Sequence, residues 1–181
     1  MANKQLGDEM KLGIVRGKKQ LDVTIQLKEI PGVKDGRVGL GITYAENKSI
    51  QTTPKVTIKT ADIGGPSAGL MFTLGLLNQL LDDDIAKGYN IAGTGEMLED
   101  GTVGRIGGID MKVIAADKAD VEIFFAPDDT ITDEMKKNNP KVETNYAVAV
   151  RTAKEIGTDM KIIPVKTVQD ALAYLEQLEE K

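Results

Sequence analysis

A serine directly before an apolar helix is the first feature of this sequence that could do chemistry. Ser67 follows the turn Gly64-Gly65-Pro66, and leucines recur at helical spacing from Leu70 onward. Glycine, proline and serine at such a boundary also suit an ordinary helix start, with serine as a cap. The alternative is a nucleophile, because the first N–H groups of a helix have no partner within it and favour developing negative charge.

Few residue types in this chain could act as the general base for a serine nucleophile. The chain contains no histidine and no cysteine, which excludes a Ser-His-Asp triad, thiol catalysis, disulfides and a zinc site built on His or Cys. The base must therefore be Lys, Asp, Glu or Tyr. A lysine can serve only when neutral, and because a free lysine has a pKa of about 10.4, burial must favour the neutral form.

Lys112 is the lysine whose surroundings fit that requirement. On a helix its neighbours three and four positions away are Gly108, Ile109, Ala115 and Ala116, all small or apolar. It also lies near the predicted start of that helix, where the helix dipole disfavours a cation. The alternative is that Lys112 reaches the surface from a half-buried helix, as most lysines do. A phosphate-binding loop is a third interpretation of the glycine-rich turn, but the P-loop spacing is absent.

Alternating strands and helices must position these residues. Residues 1–29 predict two strands joined by a turn at Arg16–Lys19, and a cluster of turn residues places a boundary near residue 30. The second half predicts an α/β arrangement. The predicted strands are 38–44, 56–60, 89–93, 122–126 and 161–165; the predicted helices are 67–81, 110–119, 145–157 and 168–178, with a hairpin turn at 99–101.

Composition narrows the class of protein further. The 181 residues carry a net charge of −5 without a long basic run, which argues against nucleic-acid binding. No apolar run is long enough to span a membrane, and no signal peptide is visible at the start. Hydrophobic residues at 41% and charged residues at 28% are typical of a globular domain.

Two ordered sets of motifs resemble the proteolytic domain of Lon proteases. Gly65-Pro66-Ser67-Ala68-Gly69 is similar to the serine motif of that family. Gly93-Thr94-Gly95-Glu96, Gly101-x-Val103 and Ile106-Gly107-Gly108, followed by Lys112, are similar to its lysine motif. The resemblance covers roughly residues 37–178. It implies a compact α/β fold and a serine endopeptidase with Ser67 as nucleophile and Lys112 as its base.

The resemblance carries further expectations. Thr94 matches a threonine that helps to orient the lysine amine, and Gly64, Gly65 and Pro66 belong to the supporting turn. No metal and no cofactor are expected. Gly64-Gly65 before Pro66, and the absence of an ATPase module in the chain, resemble the ATP-independent group in which a PDZ domain precedes the peptidase. Residues 1–30 would then be the end of a PDZ domain and residues 31–181 the peptidase.

The same analogy suggests a membrane-anchored protein facing outside the cell, with a cytoplasmic protein as the alternative. The expected partners are peptide or protein substrates, and self-association is reasonable by analogy with ring-forming Lon domains. Two other functions stay open from the sequence. One is a Lon-like module that binds peptides without cleaving them, and the other is a small-molecule kinase of related fold.

Overall fold

The computed structural model describes residues 4–30, 38–40, 53–58 and 65–181. The chain forms two compact units that divide between Thr57 and Ile58. In the first unit, strands β1 (Glu9–Arg16) and β2 (Lys19–Gln26) pair antiparallel in continuous register from Glu9 opposite Gln26 to Arg16 opposite Lys19. The predicted hairpin is therefore confirmed, while its relation to a PDZ domain and the boundary near residue 30 stay predictions.

A second, shorter pair follows in the same unit. Strands β3 (Lys28–Glu29) and β4 (Val38–Gly39) are antiparallel. The predicted strand 38–44 is thus present at its first two residues, and its residues 41–44 lie outside the described part of the chain. The predicted strand 56–60 is wrong over Val56–Ile58, which form no strand, and its last two residues are also outside that part.

The second unit alternates strands and helices, which confirms the predicted α/β class. After a 3-10 turn at Pro66–Ala68, its elements are α1 (Gly69–Leu80), β5 (Ile91–Gly93), β6 (Glu96–Met97), β7 (Val103–Gly104), α2 (Ile109–Asp117), β8 (Ile123–Pro127), α3 (Asp133–Asn138), α4 (Asn145–Ile156), β9 (Lys161–Val165) and α5 (Val168–Glu176). Helix α3 was not predicted because it is short and polar; Thr132 caps it by accepting from Met135 N.

A parallel sheet in the order β5-β8-β9 organises this unit. Side chains of the middle strand β8 alternate between two hydrophobic clusters, as the two-residue period of a strand requires. Ile123 and Phe125 pack with residues of α1 and α5, whereas Phe124 and Ala126 pack with residues of α2 and α4. Helices α1 and α2 therefore lie against opposite faces of the same strand.

Helix α5 begins at a capping box that also fixes a charge. The Thr167 hydroxyl accepts from Asp170 N, and the Asp170 carboxylate accepts from the N–H groups of Thr167 and Lys166. Burial raises the pKa of Asp170, but the backbone N–H groups of Lys166 and Thr167 stabilise the charged form, and the net pKa is lowered. The start of α5 therefore depends on an ionised carboxylate.

Candidate functional site

The turn that carries Ser67 is anchored through its main chain. Ser67 lies half-buried in the 3-10 turn that precedes α1. Its carbonyl oxygen accepts two hydrogen bonds, from Gly95 N at 2.9 Å and from the Thr94 hydroxyl at 2.9 Å. Thr94 follows strand β5 directly, is only 1% exposed, and donates its own N–H to Phe125 O. The main chain of Ser67 is thus tied to the carboxyl end of the sheet.

Close packing at the start of α1 explains the glycine two residues after Ser67. A Cβ atom built on Gly69 would lie 2.6 Å from Met97 N and 3.0 Å from Met97 Cβ. The next residue, Leu70, donates its N–H to Gly95 O at 3.1 Å. Only a residue without a side chain lets the helix approach strand β6 this closely.

Lys112 projects from the first turns of α2. Gly108 caps that helix in the left-handed conformation with φ 65°, and Lys112 N donates to Gly108 O at 3.3 Å. Ile109 and Val113, one on each side of Lys112 in the chain, are buried in the cluster shared with α4. Lys112 itself is half-buried. The buried face of α2 fixes the direction in which the amine points.

The two reactive groups meet although 45 positions separate them in the chain. Lys112 Nζ lies 3.5 Å from Ser67 Oγ, at the outer limit of a hydrogen bond. Gly65, with φ 80°, and Pro66 are exposed beside Ser67, and Gly64 lies outside the described residues. The arrangement can pass a proton between a hydroxyl and an amine, provided that the distance closes slightly.

Thr94 contacts the serine side of this pair. Its hydroxyl donates to Ser67 O, a contact that the sequence motif did not indicate, because the two residues are 27 positions apart. Within residues 65–181, no hydrogen bond between Thr94 and Lys112 is present, and an orienting role toward the amine stays a prediction.

A polar network behind α2 was missed from the sequence. Asn145, at the first position of α4, accepts from Ile106 N at 2.8 Å and donates to Ile106 O at 3.1 Å. Asp129 accepts from Asn145 N and from the Arg105 guanidinium. The only local signal was an asparagine beside the helix cap Thr144, and such a signal does not indicate a contact 39 positions away.

The described ranges hold no group of three or more acidic side chains that could bind a metal ion, and no helix there is long and apolar enough to cross a membrane.

The turn between β6 and β7 contains a carboxyl with a shifted pKa. The N–H of Thr102 donates to the Asp100 carboxylate and lowers its pKa. That turn is tied to the start of α5 by Val168 N, which donates to Gly101 O.

A comparison with known families identifies the family of the chain. The model of the Lon protease (S16) C-terminal proteolytic domain matches residues 10–176. The chain therefore belongs to this family of serine peptidases.

Three curated relatives illustrate the match. The chain is 27% identical to the Lon protease of Aster yellows witches'-broom phytoplasma over 172 residues, covering 88% of the chain and 19% of that protein. It is 33% identical to the Lon protease of Campylobacter concisus over 108 residues, covering 60% and 11%. It is 42% identical to the mitochondrial Lon protease homolog of Neurospora crassa over 72 residues, covering 40% and 6%. The chain thus spans less than a fifth of the length of these relatives.

Proposed function

We propose that this domain is a serine endopeptidase in which Ser67 is the nucleophile and Lys112 the general base. The observation that supports the proposal best is the 3.5 Å separation between Lys112 Nζ and Ser67 Oγ. A chain without histidine has few other ways to activate a serine, and the main-chain bonds to Ser67 O hold the nucleophile in place.

The proposed reaction follows from the chemistry of the pair. The neutral Lys112 amine accepts the Ser67 proton while Ser67 Oγ bonds to the carbonyl carbon of a peptide. The resulting ammonium gives that proton to the leaving nitrogen as the peptide C–N bond breaks, which leaves an ester on Ser67. Water then attacks the ester carbon while Lys112 accepts its proton. The ester C–O bond breaks and the ammonium returns that proton to Ser67 Oγ, which releases the carboxylic acid product and regenerates the serine hydroxyl and the neutral amine.

The negatively charged oxygen of the tetrahedral intermediate needs hydrogen-bond donors to stabilise it. Pro66 has no N–H, so the N–H of Ser67 and that of a neighbouring glycine in the 64–65 turn are the groups that we expect to point at the oxyanion. Gly65 is exposed, and a Cβ built on it would meet no atom within 4 Å, so space is available for a substrate backbone.

No step of this reaction uses a nucleotide or a metal ion, and we propose that cleavage of unstructured peptides is independent of ATP. Peptide or protein substrates, self-association, a PDZ-like segment over residues 1–30 and a membrane-anchored location outside the cell are further parts of the proposal. They rest on the family resemblance and not on the pair itself.

The decisive experiment combines peptide cleavage with labelling of the active serine. Unfolded casein and a fluorophosphonate probe are offered to the wild type, Ser67→Ala, Lys112→Met and the control Lys118→Met, which removes an exposed lysine at the end of the same helix. Ser67→Ala should abolish both signals, and Lys112→Met should lower kcat about 10²–10⁴-fold. The control should match the wild type, with or without ATP.

Full activity of Lys112→Met would eliminate the proposed dyad. A wild type that binds casein but neither cleaves it nor reacts with the probe would instead identify a silent peptide-binding module.

A further inference from the structure

The main chain of the segment that leads into α2 is bonded to a buried side chain of another helix. Asn145 is 2% exposed, and its amide group bonds to both main-chain groups of Ile106, with 2.8 Å between Oδ1 and Ile106 N and 3.1 Å between Nδ2 and Ile106 O. A side-chain amide that pairs with both groups of one residue fixes that residue in position and orientation, because a rotation of either partner breaks both bonds.

Asn145 is itself fixed from outside its helix. Asp129 Oδ1 accepts from Asn145 N at 2.5 Å, and Asp129 Oδ2 accepts from Arg105 Nη1 at 2.5 Å. The Asp129 side chain is 6% exposed, and Arg105 Nη1 also donates to Glu143 O at 2.9 Å. A carboxylate at the start of a helix is favourable for the helix dipole, so the same ion pair supports α4 and aims Asn145.

Ile106 lies three residues before the first residue of α2, and Lys112 lies three residues after it. Between them, Gly107 and Gly108 carry no side chain, and a Cβ built on either would have no neighbour within 4 Å. The Ile106 side chain is buried in the same hydrophobic cluster as Ile109 and Val113 of α2, so the Asn145 amide and this cluster together set where α2 begins. Since Nζ and Oγ are already at the outer limit of a hydrogen bond, a small shift of α2 would separate them.

We propose that Asn145 is a positioning residue for Lys112, with Asp129 and Arg105 holding Asn145 in turn. The inference rests on the proposed function, since it concerns the base of the proposed pair. It predicts that loss of the Asn145 amide weakens the action of Lys112 and leaves substrate binding unchanged.

The test compares Asn145→Ala with the neighbouring Thr144→Ala. Thr144 caps the same helix by accepting from Ala147 N at 3.1 Å and makes no hydrogen bond to Ile106. Thr144→Ala should lower Tm by about 2–4 °C without changing kcat. Asn145→Ala should lower kcat for casein or a peptide about 10–100-fold with KM within about twofold.

A double-variant cycle separates positioning from general damage. In the Lys112→Met background, a fluorophosphonate labels Ser67 slowly, over hours. The rate of this labelling should be the same whether position 145 carries asparagine or alanine. An equal fold-loss in both backgrounds would mean that Asn145 acts on Ser67 or on the fold, which overturns the proposal. If Asn145→Ala does not fold, Asp129→Asn serves instead, with a smaller loss expected because the amide can still accept from Asn145 N.

An NMR readout keeps this inference separate from the proposed function. A nuclear Overhauser contact between the Lys112 Cε protons and the Ser67 Cβ protons should be present in the wild type and in Thr144→Ala, and lost in Asn145→Ala. A contact that persists in Asn145→Ala refutes the positioning role even if the wild type cleaves nothing. A wild type without cleavage or labelling, but with the expected loss of contact, refutes only the peptidase function.

Discussion

Replacement of Gly69 by alanine tests how closely the turn that carries Ser67 is packed against strand β6. The added Cβ would lie 2.6 Å from Met97 N, about 0.8 Å closer than the 3.4 Å at which ordinary van der Waals contact begins. The nearest atom belongs to the main chain of strand β6, so a side-chain rotation cannot relieve the contact. Helix α1 or strand β6 must move instead.

Two opposing free-energy contributions decide the effect on stability. Alanine in a helix gains about 1 kcal/mol over glycine, whereas overpacking costs about 1–3 kcal/mol. The free energy of unfolding should therefore fall by up to about 2 kcal/mol. The movement also occurs two residues from Ser67, and since a misplacement of about 1 Å can cost about 10²-fold in rate, kcat should fall more than stability suggests.

Gly75→Ala is the matched control. Gly75 is an exposed residue of the same helix, and a Cβ there meets no atom within 4 Å. This variant should gain about 0.5–1 kcal/mol and keep its kcat. Urea unfolding of both variants, with fluorophosphonate labelling of Ser67 in parallel, measures both effects. If Gly69→Ala were as stable as Gly75→Ala and labelled at the wild-type rate, the packing argument would be refuted.

Three further outcomes are expected. Thr94→Val should lower the free energy of unfolding by about 1 kcal/mol in urea and slow the labelling of Ser67, because one of two bonds to the Ser67 carbonyl is lost, while Thr94→Ser should restore both. Asp170→Asn should lower the free energy of unfolding by about 1 kcal/mol above about pH 4. Since the folded pKa of Asp170 is lowered, the greater stability of the wild type should disappear in urea titrations as the pH falls through that pKa. A difference in stability that does not change with pH would contradict the reasoning. Lys87→Met should speed amide exchange at the end of α5, because the Lys87 amine donates to two carbonyls there at 2.8 and 2.6 Å; unchanged exchange would show that these bonds do not hold the helix end.

The periodic elements could be predicted because their signal is local. The leucine spacing of α1 and the apolar runs of β8 and β9 follow from burial on one or two faces. Helix α3 could not be found this way, since none of its residues is buried and its start depends on a single cap at Thr132. The Val56–Ile58 segment has alternating polarity, but the structure forms no strand over these residues.

The candidate pair could be named from the sequence for a different reason. The absence of histidine leaves few bases, but Lys112 on its own is equally explained by a lysine that reaches the surface; it is the resemblance of the motifs around Ser67 and Lys112 to the serine and lysine motifs of Lon proteases that predicts the pair. The contacts that hold the pair could not be foreseen. The bonds from Thr94 to Ser67 O and from Asn145 to Ile106 join residues 27 and 39 positions apart, and no periodic pattern encodes which turn meets which helix.

Opposite placement of α1 and α2 about strand β8 has a consequence for engineering. Within residues 65–181, neither hydrophobic cluster includes residues of both helices, so we expect a change of side-chain volume in one cluster to act mainly on one member of the pair. Variant libraries confined to a single cluster would change the distance between Ser67 Oγ and Lys112 Nζ in small steps. A compensating substitution in the second cluster would bring a lengthened distance back toward its original value. Reactivity could thus be graded without altering either reactive side chain.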